Sequence, residues 1–465
     1  MITLLAFAVG VLCSFNVYGS LQWYDYQRIV LLASLSIVAV RYGSLCIEPD
    51  GDWRISSLLL VAVGCGVVSA LGAGRFAPAV AEWATVALLF AVVAQSSARH
   101  GQDHVARLAA LAFLAVAAPY VVAVVAKYTI SVVFGESPGA ETFQLYLSNP
   151  RFPAQIEALT LPLAPVAFFF VRDRRAKAAV AIVSALWWMC VFGSASRTAW
   201  IALAVSIIAV SALPGRSRSW LKAQLGFFAG GVIAYIVLFY FVPELLGLHH
   251  RLETGRFESM SSFVARLQLY ELCLALFQSA PWFGWGPMHF AAVNNDIAAH
   301  PHNFWLQHLA EWGVISTGCV IAALVLLAWR LIKVRTEPGP DSSSSRDVTL
   351  TGLLAALITW AVGCLADGYM VMPTSQALSA VVLALCVSVL PAVPASERVL
   401  MVTRWGWRVC TFAAFAGLCF VATTPFGTPW DRQRLWDAEN SAGTLLAPRF
   451  WQQGWIGPDA DPTAR

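Results

Sequence analysis

The chain has 465 residues, 58% of them apolar and only 12% charged, where ordinary soluble domains carry about 25% charged residues. A soluble globule is excluded by that balance. A net charge of +4 with no long Lys/Arg run also argues against a nucleic-acid surface, so basic residues are read first as topology markers.

At about 20 residues per crossing the apolar residues suffice for about 13 membrane helices. Apolar runs poor in charge predict spans over 1–18, 29–47, 55–74, 78–95, 106–126, 155–171, 178–192, 198–213, 223–243, 302–329, 349–366, 376–394 and 409–426. The expected fold is an all-α polytopic membrane protein of about 12 to 13 transmembrane helices, with a long helical loop over 244–301 and a tail over 427–465. The first run lacks a basic flank and a small-residue cleavage site, so it reads as a retained span. Eight cysteines, Cys13, Cys65, Cys190, Cys319, Cys364, Cys386, Cys410 and Cys419, lie inside apolar runs and Cys273 in the long loop, which gives no disulfide framework.

Lys and Arg concentrate on the cytoplasmic side of short loops. With the N-terminus inside, Arg41, Arg54, Arg99, Arg107, Arg172, Arg174, Arg175, Lys177, Arg330, Lys333 and Arg335, among others, fall on cytoplasmic loops. The short outer loops hold only Arg28, Arg75, Lys127, Arg151 and Arg197. The stretch from Thr336 to Ser345 reads as a flexible cytoplasmic connector.

Charges held at membrane level are functional candidates when they face a polar cavity or a partner. Arg197 follows Ser194-Ala195-Ser196 as the lone charge of an outer hairpin. In the long loop, apolar residues from Phe257 to Gln278 recur at three- and four-residue steps (Met260, Phe263, Val264, Leu267, Tyr270, Leu274, Phe277) and predict an amphipathic interfacial helix carrying Arg266. Pro281-Trp282-Phe283-Gly284-Trp285-Gly286-Pro287 follows as an aromatic, turn-rich stretch suited to headgroup depth. Next, Pro301 is expected in the first turn of a helix, which sets Asn303, Gln307 and Glu311 on one face at four-residue steps, turned to the bundle interior or a water-filled cavity, with His302 at its mouth. His300 and His302 lack the further ligands a zinc site needs. Asp367, in the outer turn 367–376, can orient an imidazole, pair with an Arg or cap a helix. The acidic pairs Asp50/Asp52 and Asp459/Asp461 are read as solvated, the latter near a frayed terminus.

Three separated blocks carry a resemblance: Ser194-Ala195-Ser196-Arg197, the Arg266 helix leading into Gly284-Trp285-Gly286-Pro287, and Pro301-His302-Asn303 with Gln307, Glu311 and Gly313. Together they resemble the superfamily of O-antigen ligases, O-antigen polymerases and bacterial O-linked oligosaccharyltransferases. The resemblance implies transfer of a glycan from an undecaprenyl diphosphate carrier to an acceptor hydroxyl at the periplasmic face of the bacterial inner membrane, with no metal ion or other cofactor. It implies His302 as the essential catalytic histidine and Arg197 and Arg266 as diphosphate-associated arginines. The leading expectation is an inverting ligase acting on a lipid A-core sugar. A protein-directed oligosaccharyltransferase acting on Ser or Thr, favoured by the thirteenth span and aromatic tail, a polymerase, and a polytopic transporter are the alternatives. Ser316 departs from the pattern, where many members have Gly.

Overall fold

A computed structural model describes residues 23–44, 51–96, 101–145, 151–213, 218–248, 261–295, 297–337, 344–431 and 448–456, with positions 9, 147 and 149. The expected first span, Asp50, Arg251, Arg256 and the Asp459/Asp461 pair lie outside the described residues, as does most of the 336–345 connector.

Among the described residues all regular structure is helical. The longer helices are α1 (Trp23–Ser44), α2 (Trp53–Leu71), α3 (Phe76–Ala94), α4 (Gly101–Val133), α6 (Arg151–Thr160), α7 (Ala164–Phe170), α8 (Arg174–Ser194), α9 (Arg197–Ala212), α10 (Arg218–Ile236), α12 (Ser261–Ser279), α13 (Phe304–Thr336), α14 (Ser344–Gly363), α15 (Pro373–Ser388) and α16 (Glu397–Ala422). Two single turns, α5 (Glu141–Gln144) and α11 (Val242–Leu245), complete the set. Among the described residues nine segments, with α6 running through a 3₁₀ turn into α7 as one of them, are long and apolar enough to cross a membrane. The protein is a multi-pass membrane protein. α1, α9 and α15 fall where further spans are expected, so twelve of the expected spans have a helical counterpart.

Burial sorts these helices by place. α15 is buried along its whole length, as is almost all of α3. The stretch Arg218–Leu245 is only 17% buried, and it turns Ile233, Phe241 and Leu245 outward at 62%, 63% and 85% exposure. Apolar side chains on an outer surface suit lipid tails, where they cost nothing.

The turns lie at two ends. One end gathers 72–75, 195–196, the loop 280–303, the turn 364–372 and the segment 448–456: Ser69 bonds Glu311, and Tyr24 bonds Val371. The opposite end gathers residues 51–52, 95–96, 389–396 and the ends of α9 and α13, where Arg330 bonds Asp52 and Pro391 and Arg335 bonds Val210. Asp52 is not solvated as expected. It is 2% exposed, caps α2 through the Arg54 N–H, and accepts from Arg54 at 3.0 Å and Arg330 at 2.8 Å. A half-dry helix end needs its first N–H groups matched, and a carboxylate does this while two guanidinium groups hold its charge.

Arg28 also departs from expectation. It is no loop marker, being 0% exposed inside α1, where it donates to the carbonyls of Phe450 (2.7 Å) and Val371 (2.7 Å) and to Gln376. Nor does the segment 448–456 hang free. Phe450 and Trp451 are 0% and 2% exposed and pack with Met288, Ala291 and Phe426 in an apolar cluster of their own.

Candidate active site

The loop 280–303 is built against a break in α13. Gly313 has φ 74° and ψ 175°, outside the helical region, so the helix runs as two pieces, 304–312 and 314–336. The carbonyls of Ala310 and Glu311, turned aside by the break, accept from the N–H groups of Trp285 (3.1 Å) and Gly286 (3.0 Å), and Val314 donates to Pro281 (2.9 Å). Backbone groups freed by a break inside a bundle must find partners, and the 281–287 stretch supplies them. It is therefore a splint on the helix, while Trp282, 66% exposed, reaches outward. A side chain at Gly284 or Gly313 would lie 2.4 Å from the Glu311 carbonyl carbon or 2.2 Å from the Trp282 carbonyl oxygen, so both positions need glycine.

α12 packs on the first piece of α13 through Leu269, Cys273 and Leu276. This is not the expected apolar face: Val264, Leu267 and Leu274 are 51%, 43% and 44% exposed. Apolar residues thus occupy two faces, one for the protein and one for lipid. Arg266 lies half-buried on this helix.

Asn303, not Pro301, begins α13: its Oδ1 accepts the Leu306 N–H at 3.0 Å as an N-cap. The chain enters that cap through His302 in the left-handed region at φ 55°, which His adopts more readily than most side chains. His302 donates its backbone N–H to Nδ1 of His300 at 3.2 Å, and the two rings meet edge to face at 4.1 Å. Nδ1 of His300 is thereby the acceptor, so the neutral ring carries its proton on Nε2. Nδ1 of His302 is buried with no partner among the described residues. Burial first, then the cationic Arg266 and Arg151, push His302 down to about 3 from its ordinary 6.5. His300 is held well below its ordinary value by burial, His302, Arg449 and Arg266.

Asp367 joins the same neighbourhood. It is 3% exposed, and its Oδ1 accepts from Gln155 Nε2 (2.9 Å) and from the Gly368 N–H (2.8 Å). Burial raises its carboxyl, opposed by the Gly368 N–H, Arg151, Arg266 and Gln155. Gly368 lies against the His300 ring, since a side chain there would be 3.2 Å from Cε1. The structure therefore brings His302, Arg266 and Asp367 together, with His300 between the last of these and His302.

Arg151 belongs with them and was read from sequence only as a topology marker. It starts α6, one turn before Gln155, and acts electrostatically on both His302 and Asp367. Its signal was the spacing to Gln155, which means nothing until Asp367 is known to lie opposite.

Arg197 is at the same end but stands apart. It opens α9 behind the N-cap Ser196, whose Oγ accepts the Ala199 N–H, and it is exposed. The Ser194 hydroxyl beside it donates to the Val191 carbonyl at 3.0 Å. No contact among the described residues joins Arg197 to His302.

The expected polar stripe is buried, with Asn303, Gln307 and Glu311 at 9%, 6% and 1% exposure. Glu311 faces no open water: Oε2 accepts from Arg449 (2.6 Å) and Gln307 (3.4 Å), and Oε1 from the Phe290 N–H (2.9 Å). Arg449 lay in a tail that gave no reason to place it at Glu311. Ser316 donates its one hydroxyl proton to the Ala62 carbonyl (3.1 Å) and so accepts from His308 Nε2 (3.0 Å), tying α13 to α2. Among the described residues no three His, Cys, Asp or Glu side chains cluster to hold a metal ion.

Residues 179–321 match the family model described as O-antigen ligase. The matched stretch runs from α8 through the break in α13 and includes Arg197, Arg266, His302 and Glu311. Over that stretch, less than a third of its length, the chain is similar to the O-antigen ligase family. Arg151, Asp367, Arg28 and Arg449 lie outside it. No curated protein matches the chain.

Proposed function

We propose that the protein is an inverting glycosyltransferase of the O-antigen ligase type, which moves a glycan from undecaprenyl diphosphate to a lipid A-core sugar hydroxyl without a metal ion. Its place is the bacterial inner membrane, with the N-terminus cytoplasmic and the His302 end periplasmic; basic residues crowd the opposite end, as the positive-inside rule requires. The loop 244–301 carries catalytic groups, residues 1–426 form the transmembrane part, and 427–465 lie on the periplasmic side.

The observation that carries this reading is the imidazole of His302, whose Nδ1 is buried and unmatched among the described residues, within electrostatic reach of two guanidinium groups, Arg266 and Arg151. The acceptor hydroxyl gives its proton to the imidazole as its oxygen attacks the anomeric carbon. The bond from that carbon to the diphosphate oxygen breaks, and the carrier diphosphate leaves with the electron pair. Guanidinium forks meet phosphate oxygens two at a time and stabilise the charge that grows there. A base held near 3 is weak, but part of that depression comes from the same two cations. A bound diphosphate neutralises them and returns basicity to His302 when the acceptor needs it. Arg197 takes a more distant part of the diphosphate or its lipid, and Asp367, with Gln155, keeps Arg151 and Arg266 oriented. Asn303, Gln307 and Glu311 support the helix start behind His302.

A transporter would use a broken helix to bind its cargo. Here the Ala310 and Glu311 carbonyls exposed by the break are already taken by Trp285 and Gly286. The protein-directed alternative draws on a thirteenth span, which lies outside the described residues, and on the aromatic tail, whose Phe450 and Trp451 are core residues. Deleting the gene tests the assignment: lipopolysaccharide losing its O-chain supports a ligase, a pilin losing its sugar supports the protein-directed enzyme, and a single retained repeat unit supports a polymerase. Lipopolysaccharide and protein glycans that both stay intact overturn it.

A further inference from the structure

The segment 448–456 has no role in the reading above, yet it is buried as deeply as the bundle core. Arg449 and Phe450 are each 0% exposed and Gln453 is 1% exposed. Short polar segments enter a membrane-protein interior only where every backbone group is matched. Here Arg28 donates to the Phe450 carbonyl (2.7 Å) and the Arg449 carbonyl (3.2 Å), Gln452 donates its N–H to Asp25 (2.6 Å), and Ile456 donates to the Ala291 carbonyl (3.2 Å). Arg28 also holds Val371, in the turn that carries Asp367.

The Arg449 guanidinium spans two parts of the candidate active site. Nη2 meets Glu311 at 2.6 Å, and Nη1 meets the carbonyl of Ala299 at 3.5 Å. Ala299 directly precedes His300, which accepts the His302 N–H. Glu311 in turn receives the Phe290 N–H from the start of the same loop. Both ends of the loop 290–300 are therefore tied to one ion pair, Ala299 to Arg449 and Phe290 to Glu311. Glu82 on α3 lies within electrostatic reach of Arg449, Arg28 and Glu311, and charges of opposite sign beside one another are the condition under which a dry site tolerates them.

We infer that residues 448–456 are an integral wall of the active site and that Arg449 is a positioning residue, which fixes the His300–His302 loop relative to α13 through Glu311 and Ala299. The inference rests on the glycosyltransferase reading. It goes beyond the matched family stretch, which ends far upstream of this segment.

A tail that merely stabilised the fold would change how much protein is folded and leave each folded molecule unchanged. A positioning residue alters chemistry per molecule. The groups facing His300 are His302 from its own loop, Arg266 from α12, Arg449 from the tail and the Asp367–Gly368 turn. Removing the Arg449 charge therefore lets His300 protonate at a higher pH, and a protonated His300 has no lone pair for the His302 N–H.

The test uses the full-length protein in lipid vesicles with the carrier-linked glycan and whichever acceptor the deletion strain identifies. Undecaprenyl diphosphate alone is the binding probe. Arg449→Lys keeps the charge but loses the fork, so it should bind the probe within about twofold of wild type while kcat falls about tenfold with the donor KM unchanged. Arg449→Ala should lower kcat further and move the acid limb of the pH profile upward, and Arg449→Lys should leave that limb in place. Wild-type kcat per folded molecule in both variants, or an unmoved acid limb in Arg449→Ala, overturns the inference while the glycosyltransferase reading stands. Wild-type protein in the same vesicles separates the two: if it transfers no glycan, the reading falls and the inference with it, whereas His302→Ala transferring at the wild-type rate overturns the inference alone, because the loop that Arg449 holds would then have no part in the chemistry.

Discussion

Each end of the bundle holds a buried carboxylate against guanidinium groups, but the two are finished differently. At the Asp52 end the acid is shared by Arg54 and Arg330, Arg330 also reaches the Pro391 carbonyl, and the Arg54 N–H takes the remaining lone pair. That network is closed. At the opposite end Glu311 is matched by Arg449, Gln307 and the Phe290 N–H, yet beside it Nε of Arg449, Nδ1 of His302, Oε1 of Gln155 and the hydroxyl of Tyr369 are buried with no partner among the described residues. An unmatched buried polar atom costs about 1–3 kcal/mol, which a fold tolerates where a ligand later provides the match. The Asp52 end also keeps buried atoms without a partner among the described residues, on Trp53 and Arg335, but only the His302 end has an unmatched imidazole nitrogen beside its carboxylates.

The comparison breaks first at its most asymmetric pair. His302→Ala should lower glycan transfer by about 10²- to 10⁴-fold with unchanged folded protein, measured by transfer assay beside detergent gel filtration. Asp52→Ala should do the reverse. It strands Arg330, 10% exposed at its side chain, and should cost about 3–5 kcal/mol of stability, read as a lowered unfolding midpoint, while transfer per folded molecule stays at the wild-type level. Reduced transfer per molecule in Asp52→Ala would mean that the two ends are coupled.

Why one end was legible and the other was not follows from the same contrast. His302, Arg266 and Asp367 stood out because polar side chains at span ends on one face are costly without a function, and the apolar runs alone ordered the helices. Arg449, Arg28 and Arg151 were lost in the count of basic residues, since a guanidinium in a short loop looks the same whether it meets headgroups or a carboxylate contributed by residues hundreds of positions away. The break at Gly313 was hidden for a related reason: the apolar run continues through it, and only the backbone of 281–287 makes it stable. The buried face of α12 was missed because lipid and protein ask for the same kind of side chain.

A smaller effect probes the splint. Gly313→Ala forces a methyl-bearing residue to φ 74° and within 2.2 Å of the Trp282 carbonyl. The strain alone should cost about 1–3 kcal/mol, and the displaced 281–287 stretch should carry the His302 loop with it, so transfer should fall more than stability does. Gly64→Ala in α2, where an added Cβ meets nothing within 4 Å, is the control and should change neither. Equal loss in both variants would remove the splint from the account. Smaller still, Arg151→Ala should raise the donor KM about tenfold, the value of one charge-assisted contact, whereas unchanged KM would leave Arg266 to hold the diphosphate without it.

The pH profile gives the smallest shift and the sharpest sign. In the free enzyme His302 sits at about 3, so it is neutral at pH 5 to 8 and kcat/KM should show no limb from it there. Donor binding places phosphate charge beside Arg266 and Arg151 and raises the His302 value, so the acid limb of kcat should lie at higher pH than that of kcat/KM. Arg151→Ala removes one of the depressing charges and should move the kcat/KM limb upward toward the kcat limb, narrowing the gap. Stability must follow the same titration. Between about 6.5 and 3 the unfolded chain binds a proton that the folded imidazole does not, so stability falls as pH drops through that window. His302→Ala should flatten that part of the slope, while Asp52→Ala should leave it intact. A kcat/KM limb near 6.5 in the wild type would mean that His302 is neither buried nor faced by the two guanidinium groups, and the diphosphate reading of this end would lose its charge pattern.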